Sequence, residues 1–389
     1  MDKFIKHKYL YIFLLSIISI LQGCTTIKLN LYNFETKEED WTIPGGSNQR
    51  DNISKSQYKI SNNPSLLWYY NSDAGYPKYP VTVANNIIFT SNLEGYILLS
   101  DINTGSKIGS LYVNPKSITS APVIKDNCIL FTTNGYKGNF IASYNLIDGK
   151  YKWTKQIPRC ETLLLVENNF IFTATVKGDL LKMHLENGDL LWNAKTKNQG
   201  ENFLSFYSSP ALIDSILYIG NDNGKLYKIN ANTGEIIKYL NVEAAINSDI
   251  SIFNKRIFFS ANNNIFFCCD EDLNIIWEKN LNTKTINSNC FDSDYIYIAA
   301  VNGAIFCLNI LDGNELWNYK TGGTITASPV IHNDKIFIGS FDKNIYCLNK
   351  NNGNIIWKYK LDGRIRSGIA IWKDYIIVTS DDKNIYCFK

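Results

Sequence analysis

The sequence predicts an all-β fold, an eight-bladed β-propeller of four-stranded antiparallel blades whose ring is closed by an N-terminal strand. Three observations predict it. Ala304–Trp317, Asn344–Trp357 and Asn384–Lys389 align on Ile305, Ile345 and Ile385, a step of 40 residues, and a fixed step of this size marks a repeat architecture. Each step holds four short β-rich segments bounded by Asn, Asp or Gly, which leaves no length for a helix. The chain stops after its eighth third strand with only seven fourth strands, and a copy of the missing strand stands before the first blade.

The unit is clearest at Ile325–Tyr359. Ile325–Ile331 is expected as a first strand, His332–Lys335 as a turn, Ile336–Ser340 as a second strand, Ile345–Leu348 as a third and Ile355–Tyr359 as a fourth. This is the four-stranded meander of a propeller blade. The turn between third and fourth strands ends in Gly at 105, 149, 188, 234, 313 and 353, with Leu273 in the slot of the fifth unit. Asn-Gly, Asp-Gly and Thr-Gly pairs supply the positive φ of tight hairpins. Four residues beyond the slot stand Trp153, Trp192, Trp277, Trp317 and Trp357, with Gly109 and Lys238 as exceptions. A large ring at one place on each outer strand is expected to anchor the next blade, each burial worth about 2–3 kcal/mol.

Third strands begin near Ile97, Ile141, Leu180, Leu226, Ile265, Ile305, Ile345 and Ile385. Leu66–Tyr70 resembles Ile355–Tyr359 and has no inner strands of its own. Leu67, Trp68 and Tyr69 are therefore expected to close the ring on Asn384–Lys389 and hide the edges of an open array. The 324 residues from Leu66 to Lys389 then average 40.5 per blade.

Before the ring, residues 1–23 have a basic start (Lys3, Lys6, Lys8) and an apolar run from Tyr9 to Leu21. A run this short does not span about 30 Å of hydrocarbon and reads as an export signal. The formal charge of +3 falls to +1 when the leader takes away Asp2 and three lysines, which leaves no electrostatic footprint for nucleic acid. Residues 24–65 are polar and charge-mixed without strand or helix period, and read as a tether. Its Trp41-Thr-Ile-Pro-Gly-Gly46 is either a docking element or a turn.

Among chemistry-bearing residues, Cys307, Cys347 and Cys387 share one repeat slot with Ser143 and are expected to be core thiols, too far apart to bridge. Cys268-Cys269 align with Leu308 and Asn309 at the end of a third strand, where neighbouring side chains point to opposite faces. Cys128, Cys160 and Cys290 have no partner spacing, and no zinc or haem motif occurs. His184 and His332 lie outside any catalytic pattern and are expected to be solvated on turns. Asp222, Asp342, Asp381 and Asp382 sit where hairpins use Asp for local bonding. No catalytic site, cofactor or metal site is expected.

The unit, with its Ser-Pro, Ile-Phe-Ile-Gly-Ser and Ile-Tyr-Cys-Leu-Asn segments and its Gly-Asn-x-x-Trp, resembles the repeat of quinoprotein-type propellers, which carry pyrroloquinoline quinone (PQQ) in dehydrogenases. Leu21-Gln22-Gly23-Cys24 resembles a bacterial lipobox, which implies that Cys24 becomes the lipidated N-terminus. Thr25 after it implies the periplasmic face of an outer membrane, and an ordinary cleaved leader is the alternative. Lipid anchor, tether, non-catalytic ring and the Trp41–Gly46 motif together resemble the BamB family of outer-membrane protein assembly factors. That resemblance implies a non-enzymatic scaffold of the β-barrel assembly machinery, with BamA, other machinery subunits and unfolded outer-membrane proteins as partners. It also implies a BamA contact at Phe203, Leu204, Ser205, Phe206 and Tyr207. There Leu204 matches an apolar family position, Ser205 stands where the family has Arg, and the aromatics could equally be core. The alternatives are a quinoprotein dehydrogenase and a propeller lipoprotein with another binding role.

Overall fold

The computed structural model describes residues 34–113, 117–135, 138–196 and 204–389; the leader, Cys24 and Phe203 lie outside them. Eight sheets follow one another along the chain, and the last combines Ala370–Trp372, Tyr375–Thr379 and Asn384–Phe388 with Leu66–Asn71. Leu66–Asn71 pairs antiparallel with Asn384–Phe388, placing Trp68 opposite Cys387, Tyr69 opposite Tyr386 and Tyr70 opposite Ile385. Ser65 and Lys389 exchange two backbone hydrogen bonds at 2.8 and 3.0 Å. The two ends of the ring are thus joined in one blade, as the sequence predicts. The blades are numbered 1 to 8 from 81–112 to 370–388.

Burial grades outward from the ring axis. Second strands such as Tyr375–Thr379 are buried along their whole length, which is why they read as continuous apolar runs. Outer strands such as Glu315–Lys320 alternate between exposed and half-buried. First strands are shorter than expected. In blade 7 only Val330–His332 pairs, while Ile325 and Ala327 are buried in irregular chain. Pro329 has no N–H to extend the ladder.

Every outer strand carries one extra residue immediately before the tryptophan slot. In blade 6 Cys307 faces Trp317 and Leu308 faces Glu315, so Leu316 is unpaired. Leu67, Ile108, Lys152, Leu191, Ile237, Ile276 and Ile356 hold the same place. Such bulges bend and twist a strand.

The tryptophans latch successive blades. The indole N–H donates to the next blade's turn, from Trp153 to the Leu185 carbonyl (3.0 Å), Trp277 to Ile310 (2.8 Å), Trp317 to Lys350 (2.9 Å) and, across the closure, Trp68 to Ile102 (2.9 Å). Each ring lies so near the following turn that a Cβ on Gly188 would come within 2.5 Å of Trp153, and one on Gly313 within 2.7 Å of Trp277. Where Lys238 replaces the tryptophan, the next turn accepts a side chain, and Leu273 occupies the slot at φ 60°. That turn is also tighter. Leu273 N bonds Asp270 O, three residues back, where Gly313 N bonds Asn309 O, four back. The shortening shifts the expected alignment of blade 5 by one residue. Cys268, opposite Trp277, is the counterpart of Cys307 rather than of Leu308.

The polar segment ahead of the ring is not a free tether from residue 34 on. Phe34, Trp41, Arg50, Asn52 and Ile60 are each at most 5% exposed. The burial comes from contacts with all eight blades, which no local periodicity encodes.

Candidate partner-binding face and the filled channel

Antiparallel connectivity sorts the loops onto two faces. Turns between first and second strands and between third and fourth strands emerge on one; second-to-third turns and blade-to-blade crossings emerge on the other, the crossing face.

On the first face residues 41–56 pass around the channel mouth in blade order. Val83 N and Ile124 N, in blades 1 and 2, donate to the carbonyls of Trp41 and Thr42, both at 2.9 Å. Asn48 donates its amide to Val166 O of blade 3 (2.8 Å), and its carbonyl accepts from Leu212 N of blade 4 (2.9 Å). Ile252 N of blade 5 donates to Gln49 O at 2.8 Å. Asn52 reaches Asn289 O beside blade 6 (2.8 Å), and Ile331 of blade 7 pairs with Asn52 and Ser54 at 3.1 and 2.9 Å. Ser56 donates to Lys373 O in blade 8 (2.8 Å), whose Trp372 indole donates to Asp40 at 2.7 Å. Gly45, Gly46, Arg50 and Asn52 all have positive φ, which winds the segment tightly. A Cβ on Gly46 would meet the Trp41 ring at 3.3 Å, so the Trp-x-x-Pro-Gly-Gly motif is both turn and docking element.

His332 belongs to this seam. It is 1% exposed rather than solvated. One ring nitrogen lies 2.7 Å from the Tyr58 carbonyl and must donate to it, and the other lies 3.2 Å from Ser54 Oγ. Burial lowers its pKa below the ordinary value.

Arg50 points down the channel. Its guanidinium donates to the carbonyls of Pro210 (2.7 Å), Pro44 (3.3 Å) and Leu163 (3.5 Å). Asp249, with 1% of its side chain exposed, pairs with Lys78 at 3.0 Å and accepts from Tyr79 OH at 2.8 Å and Ser209 N at 3.0 Å. Burial pushes the Asp249 pKa up, but Lys78 and Arg50 outweigh it and hold the group below its ordinary value. Tyr79 OH also meets Ser328 Oγ at 2.7 Å, and Asn52 donates to Ser288 Oγ at 2.8 Å. On the side of blades 1, 7 and 8, the void left among Trp41, Asn52, Tyr79 and Ser328 is about 10 Å³, at the limit of a single water.

Cys268 and Cys269 are neighbours on an unbroken third strand. Cys268 packs with Phe266, Trp277 and Phe291, and Cys269 with Ile252, Ile257 and Leu273 on the opposite side. Burial pushes both thiols up to about 12. A quinone does not fit these residues. The adjacent sulfurs face apart, and Arg50, Asn52 and Tyr79 fill the axis.

On the crossing face, residues 204–207 lie between the second-to-third turns of blades 3 and 4. Ser205 Oγ donates to Val176 O (2.8 Å), Asp222 N donates to Ser205 O (3.1 Å) and Phe206 N donates to Thr175 O (3.3 Å). Phe206 is fully buried, 6.3 Å from the Tyr227 ring, and Leu204 is 9% exposed. Tyr207 stands out at 44%. Sequence reasoning groups the five residues; the structure gives Phe206 to the core and the surface to Tyr207. The same face carries Arg364 and Arg366, both bonded to Asp381 and 5.5 and 5.2 Å from the Phe341 ring, which sequence reasoning missed because their contacts cross blades.

Fold and site define a closed propeller of the quinoprotein-like repeat class whose axis is filled by its own chain. Among solved structures it is similar to BamB from Moraxella catarrhalis (TM-score 0.70, 14% identity, 84% of this chain and 99% of that one). It is also similar to the computationally designed Ika8 protein (TM-score 0.67, 14% identity, 87% and 99%) and to a europium-containing methanol dehydrogenase (TM-score 0.55, 12% identity, 90% and 98%). These are likenesses of fold. The sequence profile of the family described as outer membrane protein assembly factor BamB matches residues 178–389, more than half of the chain, and the chain belongs to that family. A curated relative, the outer membrane protein assembly factor BamB of Legionella pneumophila (strain Paris), is 25% identical over 152 residues, 38% of this chain and 36% of the relative. That alignment spans about a third of the relative's length.

Proposed function

We propose that this chain is a non-enzymatic scaffold lipoprotein of the outer-membrane β-barrel assembly machinery, anchored through Cys24 at the periplasmic face of the outer membrane. The family match over residues 178–389 carries the reading, and the filled axis supports a binding role over cofactor chemistry. The crossing face around blades 3 and 4 binds BamA. Tyr207 supplies exposed aromatic surface, Leu204 backs it, and Ser205 and Phe206 fix the loop between two blades. Aromatic anchors on a rigid support dominate such interfaces. Unfolded outer-membrane proteins meet loops rather than strand edges, because every outer strand is bulged.

The test is co-purification of BamA with the native lipoprotein and with Tyr207→Asp. The native chain retains BamA. The variant keeps the native melting temperature, since Tyr207 is exposed, and loses BamA at least tenfold, about the effect of one interface anchor. Retention by Tyr207→Asp moves the contact elsewhere, and failure of the native chain to retain BamA removes the role.

A further inference from the structure

The residue facing the tryptophan slot across each blade is Leu99, Ser143, Lys182, Lys228, Cys268, Cys307, Cys347 and Cys387 in chain order. Two lysines therefore stand where the other blades place small or apolar groups. Lys228 is partnered, its ammonium lying 2.7 Å from Asp272 on the next blade's turn. Lys182 is 5% exposed, and no acceptor among the described residues reaches it. The equivalent turn of blade 4 carries Ala231 and Asn232. The Lys182 ammonium lies 3.8 Å from the Phe170 ring centroid and 5.6 Å from that of Phe172. A cation over aromatic faces is held there, but its charge is unanswered.

This ammonium lines a cleft of about 720 Å³ roofed by residues 42–49 and floored by the first turns of blades 2, 3 and 4. That volume is in the range of small-ligand sites. Lys125 and Lys55 add positive charge at its walls, and Ser215, Asn168 and Asn232 add neutral polar groups. Of its carboxylates, Glu167 accepts the Asn48 amide at 2.6 Å and Asp51 accepts from Ile53 N at 3.4 Å, which leaves Asp214. These three acidic groups oppose any anion, but a doubly charged phosphate about twice as strongly as a singly charged carboxylate, which needs only one ammonium and neutral donors.

We propose that the cleft is a carboxylate-binding site centred on Lys182, on the face opposite the proposed BamA contact and independent of it. An acidic residue of an extended peptide enters beneath the N-terminal segment and places its carboxylate on the Lys182 ammonium, with the cleft leaving room for flanking residues.

Calorimetric titration of the mature protein tests this with the acetylated, amidated pentapeptide Gly-Ala-Glu-Ala-Gly, its Gln analogue and acetate. The Glu peptide binds saturably, the Gln analogue at least tenfold more weakly, consistent with loss of a charge-assisted hydrogen bond. Lys182→Cys installs the residue that blades 5 to 8 carry in this slot, and Lys182→Met keeps the stem on Phe170; both weaken the Glu peptide at least tenfold. Lys228→Cys leaves binding unchanged. Acetate binding as tightly as the Glu peptide keeps the carboxylate site and assigns it to free small acids. No saturable binding by the native protein, or undiminished binding by either folded Lys182 variant, overturns the proposal.

Discussion

The blade seams and the channel mouth hold the same ring by opposite means. At the seams one device recurs, an indole pressed on a left-handed turn and bonded to its carbonyl, and departures from it are compensated locally, as Leu273 answers Lys238. At the mouth a single unrepeated segment makes a different contact with each blade. A seam element can be lost from one blade and answered in the next, as Lys238 and Leu273 illustrate, or simply lost, as at Gly109, where the next turn keeps Gly149. The mouth has no second copy of anything, so its buried charges are the sharper vulnerability.

The largest effect is therefore expected at the axis. Asp249→Asn leaves Arg50 and Lys78 without their counter-charge and costs about 3–5 kcal/mol, the range for breaking a buried pair, readable by denaturant unfolding. A smaller loss would mean that the backbone carbonyls around Arg50 suffice. The seam is isolated by a matched pair, because Gly149 and Gly188 share φ 70° but only Gly188 faces a tryptophan. Gly149→Ala costs about 1–2 kcal/mol for the left-handed conformation, and Gly188→Ala adds about 1–3 kcal/mol of overpacking against Trp153. Equal losses would remove the latch as an explanation. The smallest effect is pH-linked. The unfolded chain protonates His332 near pH 6.5, while burial holds the folded pKa lower. Stability from this group is complete above about pH 6.5 and declines as pH falls through the interval between the two values. Melting curves of His332→Gln should lose that part of the acid dependence.

The sequence displays the seams because repetition displays them: period, turn glycine, tryptophan slot and the outer-strand copy at Leu66–Tyr70 are all visible in one alignment. Blade 5 was misregistered by one residue because its turn shortens while Leu273 keeps the place of the glycine. Lys182 was legible in principle, as a charged residue in a slot that three other blades fill with cysteine by that alignment. Residues 34–60 were not legible, since Arg50 and Asn52 are buried against Leu163, Pro210, Ser288 and Asn289, all more than a hundred residues distant. Phe206 and Tyr207 read alike in sequence, and the crossing between blades 3 and 4 decides which is buried.

The integral role of the N-terminal segment is tested most directly by amide hydrogen exchange on the intact protein. The N–H groups of Val83, Ile124, Leu212, Ile252 and Ile331 belong to the innermost strands, where no further strand of their own sheet pairs with them, and they bond to residues 41–52. If the segment is part of the folded ring, these five amides exchange as slowly as those between second and third strands. If it is a loose tether, they exchange as fast as turn amides while the rest of each blade stays protected, and the account of the filled channel fails.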